Sequence, residues 1–185
     1  TLGVLAGITV ALVAVMSAFA APGDTVADRV FGQAGSFTTG TDNLGGISAG
    51  SLSLPWGAVV DGASNLYVAD ASNNRVLEYN SPLTTDTVAD RVFGQGGSFT
   101  SGACNLGGIS ASSLCAPSMI AVDGSGNLYV ADTSNNRVLE YNSPLTTDTV
   151  ADRVFGQGGS FTSGACNLGG ISASSLCNPY AVAVD

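Results

Sequence analysis

The chain has 185 residues, among them five arginines, fourteen Asp and Glu, no Lys and no His, for a formal net charge of −9. That balance repels a phosphate backbone and argues against nucleic-acid partners; the acids are read as a solvated surface. Without His, a Ser-His-Asp hydrolase cannot be assembled from these residues. The 25 glycines, with many Ser, Asn and Asp, are spread evenly between short apolar runs, a composition of short strands joined by turns.

Leu2 to Ala20 carries no charge and ends in Ala18-Phe19-Ala20, followed by Pro22. The small residues flanking Phe19 suit a signal peptidase, so residues 1–20 are read as a signal peptide, a short apolar helix cleaved after Ala20. The alternative is an uncleaved membrane anchor, which would be the chain's only membrane contact. Either way the remainder is expected to be secreted or held at the cell surface. The basic start of a signal peptide is missing, so the natural N-terminus is expected upstream of Thr1.

From Ala27 onward the chain repeats. Ala27 to Gln33 recurs at Ala89 and again at Ala151, a period of 62 (89 − 27 and 151 − 89), and Ser72 to Cys115 reappears unchanged as Ser134 to Cys177. The units are about 27–88, 89–150 and 151–185, the last incomplete. Within a unit, Ser118 to Asp123 reads as a strand, Gly124-Ser125-Gly126 as a tight turn and Asn127 to Ala131 as the antiparallel partner. Thr133 to Asn136 forms the next turn, because Asn tolerates left-handed backbone geometry. Arg137 to Tyr141 gives a third strand and Ala151 to Gln157 a fourth, while the Gly/Ser-rich stretch 158–178 links one unit to the next. The apolar runs lack clean alternation, so both faces of each sheet need cover. Radial stacking of four-stranded blades provides it, which makes the expected fold all-β, a β-propeller of 62-residue blades that the chain holds in part.

The string PSMIAVDGSGNLYVADTSNNRVLEY at Pro117 to Tyr141 resembles the NHL-repeat signature: Pro, an apolar strand ending in Val-Asp, Gly-Asn before Tyr-Val-Ala-Asp, then Asn-Asn-Arg-Val. Pro55 to Tyr79 carries it too, with Ala63-Ser64 in place of Ser125-Gly126, and Pro179 to Asp185 carries its beginning. The resemblance implies a mostly six-bladed propeller used for recognition, although NHL blades are generally shorter than these units. It implies no cofactor and no particular ligand: the expected partner is a protein, a peptide or a glycan. Enzymes on similar propellers rely on His, and their active residues have no counterpart here. The alternative function is a metal-dependent lyase or lactonase-like hydrolase whose catalytic residues lie in blades outside this sequence. A structural role in a surface layer or adhesive stalk is a third.

Cys104 and Cys115 recur as Cys166 and Cys177, and the first unit has Asp42 and Ser53 at both positions. A pair present or absent together, in an exported chain, suggests a disulfide within each linking loop, although four cysteines permit three connectivities. Asp70 with Arg75, and Asp132 with Arg137, flank the same turn and are read as structural pairs. Asp123 to Asn127 is read as a turn in preference to a calcium loop, and nothing has the spacing of a zinc site. Trp56, Ser118 and Tyr180 are equivalent positions that differ between otherwise matching units, as are Gly57, Met119 and Ala181. Trp56, Ser118, Met119 and Tyr180 are therefore the candidate ligand contacts, on the premise that this strand lies innermost.

Overall fold

A computed structural model describes residues 25–185; residues 1–20, read as a signal peptide, lie outside them. Eight strands form two four-stranded antiparallel sheets. The first holds β1 (Pro55–Val60), β2 (Leu66–Asp70), β3 (Arg75–Tyr79) and β4 (Arg91–Phe93); the second holds β5 (Pro117–Val122), β6 (Leu128–Asp132), β7 (Arg137–Tyr141) and β8 (Arg153–Phe155), both as meanders in chain order. Equivalent strands start 62 residues apart, at Pro55 and Pro117. The last strand is shorter than the sequence implied: Gln95–Gly97 and Gln157–Gly159 leave the ladder as 3-10 turns.

Each turn follows from its residues. Asp61 Oδ1 accepts the backbone N–H of Ala63 (2.8 Å) and Asn65 (2.9 Å), and Asp123 Oδ1 accepts those of Ser125 and Asn127 (both 2.9 Å). These Asx turns close the β1–β2 and β5–β6 hairpins, and they occupy the carboxylates with their own backbone. Asn74 (φ 55°) and Asn136 (φ 53°) supply the left-handed residue that enters β3 and β7. Both β3 and β7 are buried along all five residues, as expected of strands covered on two faces.

The two sheets pack face to face. Tyr67, Ala69, Val76 and Phe93 of the first meet Ile120, Leu128, Val130 and Tyr141 of the second in one apolar cluster. The first strands approach so closely that a Cβ on Gly57 would stand 2.9 Å from the Ser118 carbonyl oxygen and 3.2 Å from Met119 Cα. Glycine at that position is what lets β1 lie against β5.

Beneath each β2–β3 turn a guanidinium is fully buried. Arg75 pairs with Asp70 (Nε to Oδ2, 2.8 Å) and donates to the carbonyls of Phe99 (2.6 Å), Ser48 (2.9 Å) and Ser51 (2.9 Å). Asp70 also accepts the Ser53 N–H (2.7 Å) and the Asn73 side-chain amide (2.8 Å). Arg137 and Asp132 repeat the arrangement with Phe161, Ser110, Ser113 and Cys115. One cation thus fastens the turn to the loop that precedes its sheet and to the loop that follows it. This corrects the reading of the acids as surface solvation: Asp70, Asp132, Glu78 and Glu140 are buried.

Replacing Arg75 or Arg137 by Met leaves a buried carboxylate and three backbone carbonyls without their donor. Each substitution is expected to cost roughly 3–5 kcal/mol in urea unfolding. Lysine is expected to recover little, since an ammonium lacks the planar fork that reaches acceptors on three sides.

Candidate functional site

Trp56, Ser118 and Met119 lie where β1 and β5 begin, and Tyr180 holds the equivalent place after Pro179, in a stretch that forms no strand. The β1–β2 ladder pairs Pro55 with Asp70 and Gly57 with Ala69, so Trp56 is an extra residue. The β5–β6 ladder skips from Pro117–Asp132 to Ile120–Val130, leaving Ser118 and Met119 opposite one residue. Both are β-bulges, devices that re-aim side chains at a sheet end. Proline's missing N–H makes this end of the ladder the natural place for one.

The bulge separates the candidates. Trp56, Tyr180 and Met119 are half-exposed, whereas Ser118 is buried. Trp56 and Tyr180 come from units 1 and 3, yet their ring centroids lie 5.1 Å apart at an interplanar angle of 50°. Such aromatic pairs contribute about 0.5–1.5 kcal/mol beyond burial. Ser118 acts from below, sharing a 2.7 Å hydrogen bond with Thr133 Oγ1 and lying 2.6 Å from the Tyr180 carbonyl oxygen. Thr133 Oγ1 in turn donates to the Pro179 carbonyl at 2.9 Å. Ser118 is therefore a residue that positions Tyr180 and offers no surface to a ligand as it stands. The first unit has Trp56 and Ala71 at these two places, and no equivalent hydroxyl bridge.

What remains open is a platform of two aromatic rings and a thioether, with no charged member. It continues into an apolar depression of about 330 Å³ lined by Phe31, Leu52, Pro55, Trp56, Ala58 and Leu66. Such a surface gives flat van der Waals contact and CH–π contact, and it carries no carboxylate and no basic group.

Composition adds to geometry. Residues 89–123 and 151–185 differ at four positions only, and these are Ala116/Asn178, Ser118/Tyr180, Met119/Ala181 and Ile120/Val182. Every difference falls at the entry to the first strand. The linking loop, residues 96–115 and 158–177, is identical in the two stretches.

Cys104 bonds Cys115, and Cys166 bonds Cys177, with Cα–Cα separations of 4.6 and 4.5 Å. Each bridge stays within one linking loop, as the joint presence or absence of the pair suggested. Cys115 is also the residue whose N–H bonds Asp132, so the bridge abuts the buried ion pair. The first unit keeps the same contact through the Ser53 N–H at 2.7 Å with no bridge. Sequence reasoning missed Gln95 and Gln157: both are buried, and Gln95 Nε2 donates to the carbonyls of Asn74 (2.9 Å) and Ala103 (2.7 Å), tying the loop to the β2–β3 turn. Their recurrence in every unit was the available signal. Among the described residues no group of three or more Cys, Asp and Glu is placed to hold a metal ion, and no helix is long and apolar enough to cross a membrane.

The double substitution C104D/C115S, which writes the first unit's residues into the second, is expected to lower stability by at most about 3 kcal/mol, the chain-entropy value for so short a loop. The loop is expected to keep its fold, with the backbone N–H at position 115 still bonded to Asp132. Chemical denaturation together with amide chemical shifts reads both.

Comparison with known proteins gives one family: residues 114–141, from the loop end through β5, β6 and β7, match the model of the NHL repeat. No curated protein matches the chain.

Proposed function

Taking residues 114–141 as an NHL repeat, we propose that the chain is part of an extracellular recognition propeller that binds a protein, peptide or glycan without catalysis. In this reading the invariant parts of each unit are frame, and the strand entries are the reading surface. The observation that carries it is the confinement of all four differences between residues 89–123 and 151–185 to positions 116, 118, 119 and 120 and their equivalents. Drift would scatter substitutions over turns and loops. Selection on contact surface concentrates them where the frame tolerates change.

Three further features support the reading. The sheets stack face to face, as blades around an axis do. The two disulfides are compatible with an oxidising compartment. Trp56 and Tyr180 offer large contact area at little conformational cost and are residue types enriched at binding hot spots, and Met119 adds an adaptable apolar contact. Its lack of charge suits an uncharged ligand face, such as the apolar face of a sugar ring or an aliphatic or proline side chain.

The test is a screen of the folded protein against immobilised neutral glycans and uncharged peptides, followed by calorimetric titration of the best binder. Substituting Trp56 or Tyr180 by Ala is expected to weaken binding at least about tenfold, in the range of a modest hot spot, with unfolding midpoints little changed. Binding that survives both substitutions would overturn the assignment of this surface.

A further inference from the structure

A second arrangement recurs in both sheets and differs between them in one respect. Tyr67, Glu78 and Arg91 are cross-strand neighbours on β2, β3 and β4, as are Tyr129, Glu140 and Arg153 on β6, β7 and β8. The first row faces the second sheet and is covered by it, with Glu78 wholly buried. The second row has no sheet stacked over it among the described residues, and the Arg153 side chain is 64% exposed. The chemistry is identical, so the pair is an internal control for what covering the row does.

Where the row is open, Arg153 Nη1 lies 3.3 Å from Glu140 Oε2, within hydrogen-bonding distance. Where it is covered, Arg91 instead donates Nη2 to the Leu145 carbonyl, in the β7–β8 loop of the second sheet, at 2.7 Å, and its Nε stands 3.8 Å from Glu78, too far for a hydrogen bond. Arg29 does the same one unit earlier, reaching the Leu83 carbonyl at 2.9 Å. Stacking thus draws the arginine from its glutamate to the backbone of the sheet stacked on it. What it leaves behind is Glu78 with both carboxylate oxygens, the Tyr67 hydroxyl and Arg91 Nε buried and without a hydrogen-bond partner in the protein. An ionised carboxylate in that position is costly, and a protonated one is far less so.

We propose that the joint between stacked sheets is a proton-binding site: closing it moves the arginine to the neighbouring sheet and leaves Glu78 to bind a proton. The charged groups around the carboxyl agree. Burial, then the Asp90 carboxylate, pushes Glu78 up to about 7 against the pull of Arg91, and Asp61 adds to the rise. The second sheet brings apolar side chains, Ile120, Leu128 and Val130, to the same cluster as Tyr67. Because the folded value lies above the unfolded one, the stability linked to this proton is fully present below the unfolded carboxylate range. It is lost as pH rises through about 7. Stacking is accordingly tighter under mildly acidic conditions, and every further unit that covers such a row takes up another proton.

The experiment is urea unfolding of the chain at pH 5 and pH 8, followed by Trp56 fluorescence, for the wild type, E78Q and E140Q. The wild-type folding constant is expected to fall on the order of 100-fold between the two pH values. E78Q is expected to lose most of that fall and to be more stable than wild type at pH 8, while E140Q keeps the wild-type profile. An E78Q profile parallel to wild type, or an E78Q protein weaker than wild type at pH 8, overturns the proposal. Should E78Q not fold, infrared difference spectra of the wild type decide: a protonated carboxyl band at pH 6 that disappears by pH 8.5 supports it, and no such band at pH 6 overturns it.

Discussion

A buried guanidinium organises each unit. Arg75 and Arg137 have no access to solvent, and four of the five N–H groups of each are spent on a carboxylate and three carbonyls from two different loops. A side chain with fewer donors or a flexible geometry could not satisfy those acceptors together. Because the desolvation cost of the buried ion pair is offset only if every partner is in place, the loops have one compatible arrangement. That constraint turns long Gly/Ser-rich links, which alone would be flexible chain, into fixed parts of the frame.

On that frame the bulged strand entries are free to vary. A bulge carries an extra residue outside the regular ladder, so exchanging Trp56 for Ser at the equivalent position disturbs no strand hydrogen bond. At the next position the surroundings decide: Gly57 lies against the Ser118 backbone, where a Cβ would stand 2.9 Å from the carbonyl oxygen, whereas the equivalent Met119 carries a half-exposed side chain. Between residues 89–123 and 151–185 variation is confined to this zone, which holds the half-exposed Met119 and Tyr180 side chains. Structure and function connect here through tolerance: a rigid interior permits a changeable rim.

Much of the fold was legible in the sequence because its signals are local. Asp61 and Asp123 before a Gly, the paired Asn residues at 73–74 and 135–136, and the 62-residue spacing fix turns, strands and register. The NHL string at Pro117 to Tyr141 and the match over residues 114–141 concern the same strands. Less legible was anything that depends on a distant partner. The Asp–Arg spacing pointed to a pair across the turn, but its reach to Ser48, Ser51 and Phe99 ends on backbone carbonyls, which leave no mark in a sequence. Glu78 and Glu140 looked like solvated charges because their burial is set by flanking strands. Ser118 was placed among the contacts by its equivalence to Trp56, yet a small hydroxyl turns inward to the Tyr180 carbonyl where a large ring cannot.

The claim on which the rest stands is that the arginine clasp, and not the disulfide, orders the linking loops. Amide hydrogen exchange compares the two directly, because residues 36–53 have the clasp alone and residues 98–115 have clasp and disulfide together. The account predicts similar protection at equivalent amides, Asn43 with Asn105 and Ser53 with Cys115, each of which donates to the same partner in its own unit. Rapid, unprotected exchange across residues 36–53 alongside a protected 98–115 would contradict it and make the disulfide the ordering element.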